Sequence, residues 1–450
     1  MIQDLTRGSV PKTLFAFSLP FLLSCFLQTL YGMVDLLVVG RFGVVEEITA
    51  VAVGSQVMHM LTVMALGLAV GSTVLIARAT GAGNRQSLGR IVGNTIYFFM
   101  ALSLVLAVLL WLLAPAIIAL IATPEESRPQ TLQYLRICFC GLPFLMGYNL
   151  YSAILRGLGD SKSPLIFVAL AGVANLLLDL LLVGALGMGP AGAALATIAS
   201  QALSVGAALL SLKRHPLGIP LKKIDFQLHG RTLHEILAIG IPVCCQDGFI
   251  QVAFMVITVI ANLRGVQDAA AVGIVEKEIG FLFLVPSAML SSISAMGAQN
   301  AGAGLHSRAR QTLFCALGFA MVYGLACVAA MHIWPEQSVA CFTTDPEVIQ
   351  MGGEYMRGYV WDCFLAGIHF CFSGFFCAYG RSGLSFAHNV TSILVARIPL
   401  AYLASVKFPT TLYPMGLATT SGSLVSVILC LAFFFLVPFP QHDTTRPDID

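Results

Sequence analysis

Charged residues are scarce in this chain of 450 residues. Asp, Glu, Lys and Arg together make up 10% of it, whereas hydrophobic residues make up 58%, and the mean hydropathy is +0.87. A soluble globular domain carries charge on roughly 25% of its residues. This shortage excludes an ordinary soluble protein and indicates a polytopic membrane protein. The net charge of +2 is scattered over short loops, so no nucleic-acid partner is expected.

The motifs that mark common enzyme and metal sites are missing too. The 12 cysteines include no Cys-x-x-Cys pair and fall mostly in apolar runs, where Cys behaves as a small buried hydrophobe. His59, His332 and His369 stand alone, without the His-Glu-x-x-His spacing, and there is no Gly-x-Ser-x-Gly elbow. We therefore predict no disulfide, no metal centre, no cofactor and no enzymatic activity.

Long apolar runs are what the chain has in abundance. A helix needs about 20 apolar residues to cross a membrane, whereas the strands of a membrane β-barrel read as alternating segments of about ten. The sequence therefore predicts an all-α polytopic membrane protein with twelve transmembrane helices. Their apolar runs are 15–39, 50–77, 91–113, 134–155, 164–186, 191–212, 233–261, 269–296, 312–334, 355–379, 386–406 and 414–438.

The loops between these runs carry an uneven distribution of Lys and Arg. If the N-terminus is cytoplasmic, most basic residues lie on the cytoplasmic side, and the opposite loops hold only Arg41, Arg128, Arg264 and Lys407. The positive-inside rule then places both termini in the cytoplasm. The first run is too long for the core of a signal peptide, so we expect it to remain as the first helix.

An internal repeat divides the chain at its longest hydrophilic break. Gly83 and Gly304 are 221 residues apart. Shifting the second half by the same 221 residues also aligns Tyr134 with Tyr355, Arg136 with Arg357, Ser152 with Ser373, Gly159 with Gly380 and Ser161 with Ser382. Six helices per half is an even number, so both halves enter the membrane from the same side, a parallel repeat typical of transporters. We predict two pseudo-symmetric six-helix lobes over 1–212 and 232–440, a cytoplasmic linker over 213–231 and a cytoplasmic tail over 441–450.

The first apolar run contains a full carboxylate, Asp35. Ser24, Gln28, Tyr31 and Asp35 are spaced i, i+4, i+7 and i+11, so on a helix they form one polar stripe. A carboxylate inside the bilayer costs at least a few kcal/mol, so such an acid faces protein or a water-filled cavity. The stripe indicates either a functional site or an acid tolerated near a helix end.

A second acid, Asp179, favours the functional interpretation. Asn175 lies four residues before it and therefore shares its face of the fifth helix, and Thr197 on the sixth could complete a pocket with Asp35. The corresponding positions of the second half are apolar. Two carboxylates in a low-dielectric pocket repel each other, so such a pair can hold a proton near neutral pH, or a sodium ion in its place.

Several motifs resemble, in order and spacing, those of a known family. They are Pro20, Gln28, Asp35 and Gly40-x-x-Gly43 in the first run, Gly81-Ala82-Gly83, the segment 299–304, the segment 156–164, and Asn175-x-x-x-Asp179. Together they resemble the multidrug and toxic compound extrusion (MATE) transporters, over nearly the whole chain. The likeness is greater to the DNA-damage-inducible branch of that family.

This resemblance implies a secondary active antiporter that exports bulky, often cationic drugs and other organic compounds against protons or sodium ions. In the DNA-damage-inducible branch, an Asp, Asn, Asp and Thr network binds the coupling ion, and it falls here on Asp35, Asn175, Asp179 and Thr197. We expect a multi-pass protein of the bacterial inner membrane, surrounded by lipid bilayer, acting as a monomer without a cofactor.

The norfloxacin-efflux branch also uses acids in helices seven and ten. The corresponding positions here are Ile250 or Gln251 and Ala366, so that site is absent or displaced. Asp362 precedes Ala366 by about one helical turn and Asp247 precedes Ile250 likewise, which makes both candidates for a relocated ion or substrate site.

Three further charged residues of the second half remain open to two interpretations each. Glu276 and Glu278 could line a cavity and attract a cationic substrate, or extend towards water and pair with Arg264. Arg397 could contact substrate, but we interpret it as a hydrogen-bond hub to backbone carbonyls.

We expect alternating access, with ion binding at Asp35 and Asp179 bending the first helix near Pro20. Proline removes a backbone hydrogen bond and so makes a natural hinge, although one this near a helix start could simply belong there. The competing functions are a lipid-linked oligosaccharide flippase of the same wider superfamily and, more distantly, a membrane-embedded enzyme.

Overall fold

The computed structural model describes residues 3–121, 123–214, 225, 227–440 and 443, and the regular structure within these residues is helical throughout. The first half contains α1 (Val10–Phe42), α2 (Val45–Gly81), α3 (Arg85–Leu120), a 3-10 turn (Glu125–Ser127), α4 (Arg128–Cys140), α5 (Leu142–Leu158), α6 (Lys162–Asp179) with a π-helical continuation (Leu180–Ala185), and α7 (Gly189–Arg214). The second half contains α8 (Gly230–Asn262), α9 (Val266–Leu282), α10 (Leu284–Gly302), α11 (His306–Ile333), α12 (Pro335–Ala340), α13 (Pro346–Tyr359), α14 (Trp361–Ala378), α15 (Ser382–Ser392) with a π-helical continuation (Ile393–Arg397), α16 (Ile398–Lys407) and α17 (Tyr413–Leu436).

The predicted number of membrane spans is confirmed, with one modification. In the described residues, 11 helical segments are long and apolar enough to cross a membrane, and a bent pair, Glu125–Cys140 with Leu142–Leu158, makes the twelfth. The pair bends by 47° at Gly141. A Cβ at Gly141 would overlap the side chain of Ile198, so glycine allows α7 to approach the bend. Pro143 then occupies the first turn of α5, where its missing N–H is harmless.

Large aliphatic side chains cover the outward faces of these helices. On α3, for example, Leu104, Val105 and Val108 are 58%, 62% and 63% exposed. So much exposed apolar surface would be unfavourable in water, but it is the outer surface that a lipid bilayer requires.

The described residues form two compact units. One lies within Leu19–Leu237, and the other comprises Asp4–Ser18 together with those within Ala238–Asp450. The predicted linker falls mainly on residues 215–224 and 226, which lie outside the described residues, as does the predicted tail apart from Asp443. Helix α1 contributes to both units, and its change of unit falls between Ser18 and Leu19.

In the first unit, α3 also holds the last part of the predicted linker. The buried Asn94 side chain accepts a 2.7 Å hydrogen bond from the His229 backbone N–H, and its amide lies 3.4 Å from the carbonyl oxygen of Asp225. A Cβ at Gly93 would overlap the Asp225 backbone, so glycine is required for this close approach.

In the second unit, Arg264 joins the end of α8 to the loop that precedes α17. Its side chain forms a 2.5 Å ion pair with Asp268 and donates to the carbonyl oxygens of Ser405, Phe408, Pro409 and Thr411, at 2.9–3.2 Å. Arg264 therefore pairs with Asp268 and holds a loop, whereas the sequence had left open a pairing with Glu276 or Glu278.

The repeat identified in the sequence recurs in the backbone of each unit taken by itself. Gly83 and Gly304 have φ of 69° and 75°, and Gly159 and Gly380 have φ of 94° and 69°. Positive φ favours glycine just past a helix end, where the chain can reverse and satisfy the last carbonyl groups. The residue after each glycine donates its N–H to a carbonyl five residues earlier, at 2.8–3.0 Å.

The same correspondence extends to contacts between helices. Thr73 of α2 donates its hydroxyl to the carbonyl of Ala153 at 3.2 Å, and Ser294 of α10 donates to the carbonyl of Gly374 at 3.4 Å. These positions are again 221 residues apart, as are Gly83 and Gly304. Each unit therefore uses the same turns and the same helix contact, as a duplicated six-helix lobe should.

Candidate functional site

The polar stripe of α1 turns inwards within the first unit. Ser24 and Asp35 are 3% and 4% exposed, whereas Phe26 and Leu30 on other faces of the helix are 42% and 37% exposed. The hydroxyl of Tyr31, between them in the stripe, accepts a 3.1 Å hydrogen bond from the Gln201 amide of α7. The 3.6-residue helical period thus places Asp35 in the protein interior, away from lipid.

Asp35 meets the predicted partner residues there. The Thr197 hydroxyl lies 3.0 Å from Asp35 Oδ2 and 3.0 Å from the carbonyl oxygen of Ala193, so its single proton is shared between them. Asn175 and Asp179, one turn apart on α6, are both fully buried and close enough to Asp35 for direct electrostatic interaction. The structure therefore brings together all four residues of the predicted coupling-ion site.

The pocket is not satisfied by the protein's own hydrogen bonds. Asp35 Oδ1, both carboxylate oxygens of Asp179, and both polar atoms of the Asn175 amide are buried without a hydrogen-bond partner in the part of the chain that the structure describes. Each such atom costs about 1–3 kcal/mol. Two ionised carboxylates this close also repel each other strongly when water is excluded. Chemically, the pocket suits a shared proton or a small hard cation, which oxygen ligands prefer.

The helix that carries the pocket is irregular just beyond it. After Asp179, α6 widens into the π-helical segment Leu180–Ala185. Such segments interrupt the regular i to i−4 hydrogen bonding and occur frequently at functional sites. Gly184 in this segment faces the Phe42 ring, where an added Cβ would come within 3.2 Å. The widened turn therefore lies beside the end of α1, which carries Asp35.

The second unit contains a different buried charge arrangement. Arg397, the last residue of the π-helical segment Ile393–Arg397, donates from Nη2 to Asp362 Oδ2 and from Nε to the carbonyl oxygen of Thr419 at 3.3 Å. Asp362 is fully buried, and the Arg397 side chain is 8% exposed. Arg397 therefore binds one backbone carbonyl, whereas the sequence predicted a hub for several, and its main partner is the Asp362 carboxylate.

The remaining acids of the second half lie apart. Glu276 accepts a 3.0 Å hydrogen bond from the Thr258 hydroxyl and lies near enough to Arg397 to interact electrostatically. Glu278 instead accepts from Ser338 at 3.0 Å. Asp247 makes no hydrogen bond or ion pair with the described residues. The structure therefore brings Glu276 and Asp362 to Arg397 and leaves Glu278 and Asp247 separate.

Pro20 lies well inside a helix. Because α1 begins at Val10, Pro20 is in its interior rather than in its first turn, and the Ser24 hydroxyl donates to the Pro20 carbonyl at 2.9 Å. An interior proline removes one helical hydrogen bond and clashes with the carbonyl four residues earlier. Its position is two residues from the point where α1 passes from one compact unit to the other.

Comparison with known proteins places the chain among transporters. The MatE family model matches twice, at residues 20–181 and 242–403. The probable multidrug resistance protein YpnP of Bacillus subtilis is 28% identical over 436 residues, 96% of each chain. The FAD transporter of Shewanella oneidensis is 26% identical over 411 residues, 90% of each chain.

Solved structures agree at the level of the fold. A MOP superfamily transporter from Pyrococcus furiosus superposes with a TM-score of 0.90 at 20% identity, covering 96% of this chain and 97% of that one. A MATE protein in its straight conformation superposes with a TM-score of 0.87 at 23% identity, with the same coverage.

Fold, repeat and sequence likeness define a polytopic membrane transporter built from two six-helix lobes. The chain belongs to the MatE family, the multidrug efflux transporters of the MATE type. It is accordingly a transporter and not an enzyme, and it needs no catalytic cofactor.

Proposed function

We propose that this protein exports bulky organic cations in exchange for protons or sodium ions, with Asp35, Asn175, Asp179 and Thr197 binding the coupling ion. The observation that carries the proposal is the set of buried, unpartnered oxygen and nitrogen atoms around the two carboxylates. A bound proton or cation removes the repulsion between the acids and satisfies several of these atoms at once.

Ion binding and helix movement are linked through α1. This helix carries both Asp35 and Pro20, so a change in how Asp35 is held alters the helix that contains the proline hinge. In the alternating-access cycle, the coupling ion enters the pocket from outside, α1 bends at Pro20, and substrate is released. Return to the inward-open state delivers the ion to the cytoplasm.

We further propose the arrangement in the membrane. Both termini and the linker over 213–231 face the cytoplasm of a bacterial cell, lobes over 1–212 and 232–440 span the inner membrane, and the protein acts as a monomer. The orientation is supported by the asymmetric distribution of Lys and Arg between the loops.

In the second half, Glu276 is the acid best suited to attract a cationic ligand. Its Oε1 atom is buried without a partner among the described residues, as are Glu278 Oε1 and Asp362 Oδ1. Asp362 is paired with Arg397, and Glu278 and Asp247 lie apart from that pair. Glu276 therefore combines an unpartnered oxygen with a place beside the ion pair without being part of it.

The test is ethidium efflux from energised vesicles under a proton gradient alone and then under a sodium gradient alone. We expect efflux to follow one gradient and to fall at least about tenfold in Asp35→Asn, because a hydrogen-bonding charged group contributes about 1.5–3 kcal/mol. Asp345→Asn is the matched control: it replaces an exposed acid that caps α13, and asparagine caps a helix equally well.

Efflux that survives in Asp35→Asn and in Asp179→Asn would show that these acids do not bind the coupling ion. A parallel fall in Asp345→Asn would attribute the loss to reduced expression or general damage.

A flavin dinucleotide is a second candidate substrate, since the Shewanella oneidensis FAD transporter is nearly as similar to this chain as YpnP is. Measuring FAD export in the same vesicles distinguishes FAD from organic cations as the substrate. FAD export without ethidium export would replace the cationic substrate class with an anionic dinucleotide.

A further inference from the structure

Arg156 is a buried cation that no carboxylate of the described residues neutralises. It lies in the last turn of α5, is 4% exposed, and its side chain makes no hydrogen bond or ion pair with the described residues. Its Nε atom is buried without a partner, and its guanidinium stacks over Phe21 of α1 at 4.9 Å from the ring centre. By contrast, Arg264 and Arg397, whose side chains are also buried, each bind a carboxylate.

The nearest acid in sequence is already committed elsewhere. Asp160 caps α6, accepting from the backbone N–H groups of Lys162 and Ser163 at 3.0 Å and from the Ser163 hydroxyl at 2.6 Å. Burial alone would raise the pKa of Asp160, but these hydrogen bonds, chiefly that of the Ser163 hydroxyl, lower it. The negative charge of Asp160 is therefore held at the start of α6. The groups that act electrostatically on Arg156 are Tyr148 and Cys25, neither of which is a carboxylate.

The guanidinium lines a small cavity within the first unit. Polar side chains of α1 (Ser24 and Gln28) and of α5 (Tyr148, Asn149 and Arg156) share its wall, and its volume is about 10 Å³. That is room for a single small particle. An isolated buried cation costs several kcal/mol, and a single water lowers that cost less than an anion does.

We propose that this cavity binds a small monovalent anion, of the size of chloride, against the Arg156 guanidinium. The donors that face it are the Arg156 side chain and the Gln28 amide, because the Ser24 hydroxyl is already donated to the Pro20 carbonyl. The Asn149 oxygen, which is also buried and has no partner among the described residues, is an acceptor, so the anion sits on the Arg156 side of the cavity. The bound anion neutralises the guanidinium where α1 packs against α5, in the turn of α1 that follows Pro20.

Asn149 provides a decisive substitution. It lies seven residues before Arg156 on α5, so both side chains occupy the same face, two turns apart. Asn149→Asp supplies a fixed carboxylate in the same cavity and makes the free anion unnecessary. Arg156→Gln removes the cation itself. Arg136→Gln is the matched control, because Arg136 also stacks on an aromatic ring, at 4.4 Å from Trp111, but lies outside the cavity.

The experiment measures the Tm of the purified full chain in sodium chloride and in sodium gluconate, at equal ionic strength. Sodium is constant, so occupation of the acid pocket by sodium cannot produce a difference. We expect chloride to raise the wild-type Tm by at least about 2 °C once it exceeds its Kd tenfold. Arg136→Gln should retain that rise, and Asn149→Asp should lose it while being as stable in gluconate as the wild type is in chloride.

Equal wild-type Tm values in the two salts would overturn the proposal and leave a water molecule in the cavity. So would a chloride response that persists in Asn149→Asp. If Arg156→Gln does not fold, Asn149→Asp still decides the matter. Radioactive chloride should bind to the wild type and not to Asn149→Asp, which gives the same answer without unfolding the protein. Neither readout depends on the transported substrate.

Discussion

The buried pair of Asp362 and Arg397 allows a quantitative test of how charge is tolerated inside the second unit. Removing one partner leaves the other buried and uncompensated, which costs about 3–5 kcal/mol. For a unit of this size, 1 kcal/mol corresponds to about 2–4 °C in Tm, so Asp362→Asn should lower Tm by about 6–20 °C.

Replacing both partners should reverse that loss. An apolar pair, Asp362→Leu with Arg397→Met, removes the desolvation cost of two charges, and such replacements are often neutral or stabilising by about 1–4 kcal/mol. We expect the double variant to regain the wild-type Tm. Ethidium efflux then distinguishes the role of the pair: retained efflux means a purely structural pair, and lost efflux in a stable protein means that the charges take part in transport.

The chain offers a fluorescence probe that reports on this unit alone. It has three tryptophans, of which Trp111 belongs to the first unit and Trp334 and Trp361 to the second. In a Trp111→Phe background, thermal unfolding followed by tryptophan emission therefore tracks the second unit. An unchanged Tm in Asp362→Asn, or a double variant as unstable as the single one, would refute the reasoning.

Two further substitutions test single features of the fold. Arg264→Lys should lower the Tm of the second unit, because one ammonium group cannot reach Asp268 and four carbonyl groups together. The same tryptophan assay measures this Tm. An unchanged Tm would contradict the role of the guanidinium group. Pro20→Ala should impair efflux while leaving expression intact, since it restores the missing helical hydrogen bond. Pro115→Ala in α3 is the control. Unchanged ethidium efflux in Pro20→Ala would rule out the hinge.

The acid pocket was predictable because local periodicity and the family resemblance converge on it. Asn175 and Asp179 are four residues apart, which places them on one face of any helix, and Asp35 lies in a stripe with the same period. Periodicity along one helix does not give the distance from that helix to its neighbours. The resemblance provided that link, by assigning Asp35, Thr197 and the α6 pair to one network.

The charge pairing of the second half was not predictable in the same way. Asp362 and Arg397 are 35 residues apart and lie on different helices. Arg397 ends a π-helical turn, and no sequence period indicates such a turn. The lack of a carboxylate beside Arg156 among the described residues was equally hidden, because a sequence shows that an arginine is present but not whether a carboxylate faces it.

Helix ends and bends are marked by short sequence signals, some of which are easier to recognise than others. The bend at Gly141 coincides with a Gly-Leu-Pro sequence, a recognisable breaker inside an apolar run. The start of α1 at Val10 was obscured by the polar residues before it, so Pro20 looked closer to a helix start than it is.

The matching glycine turns of the two halves have a consequence for how such a protein can diverge. Gly83 and Gly304, with Gly159 and Gly380, give each lobe the same two turns, so these two connections do not depend on which side chains lie in the pocket. After duplication, one copy could acquire a pair of acids while the other acquired a neutral ion pair, without either having to refold. Asymmetry of charge could thus arise while these turns stayed the same within each lobe.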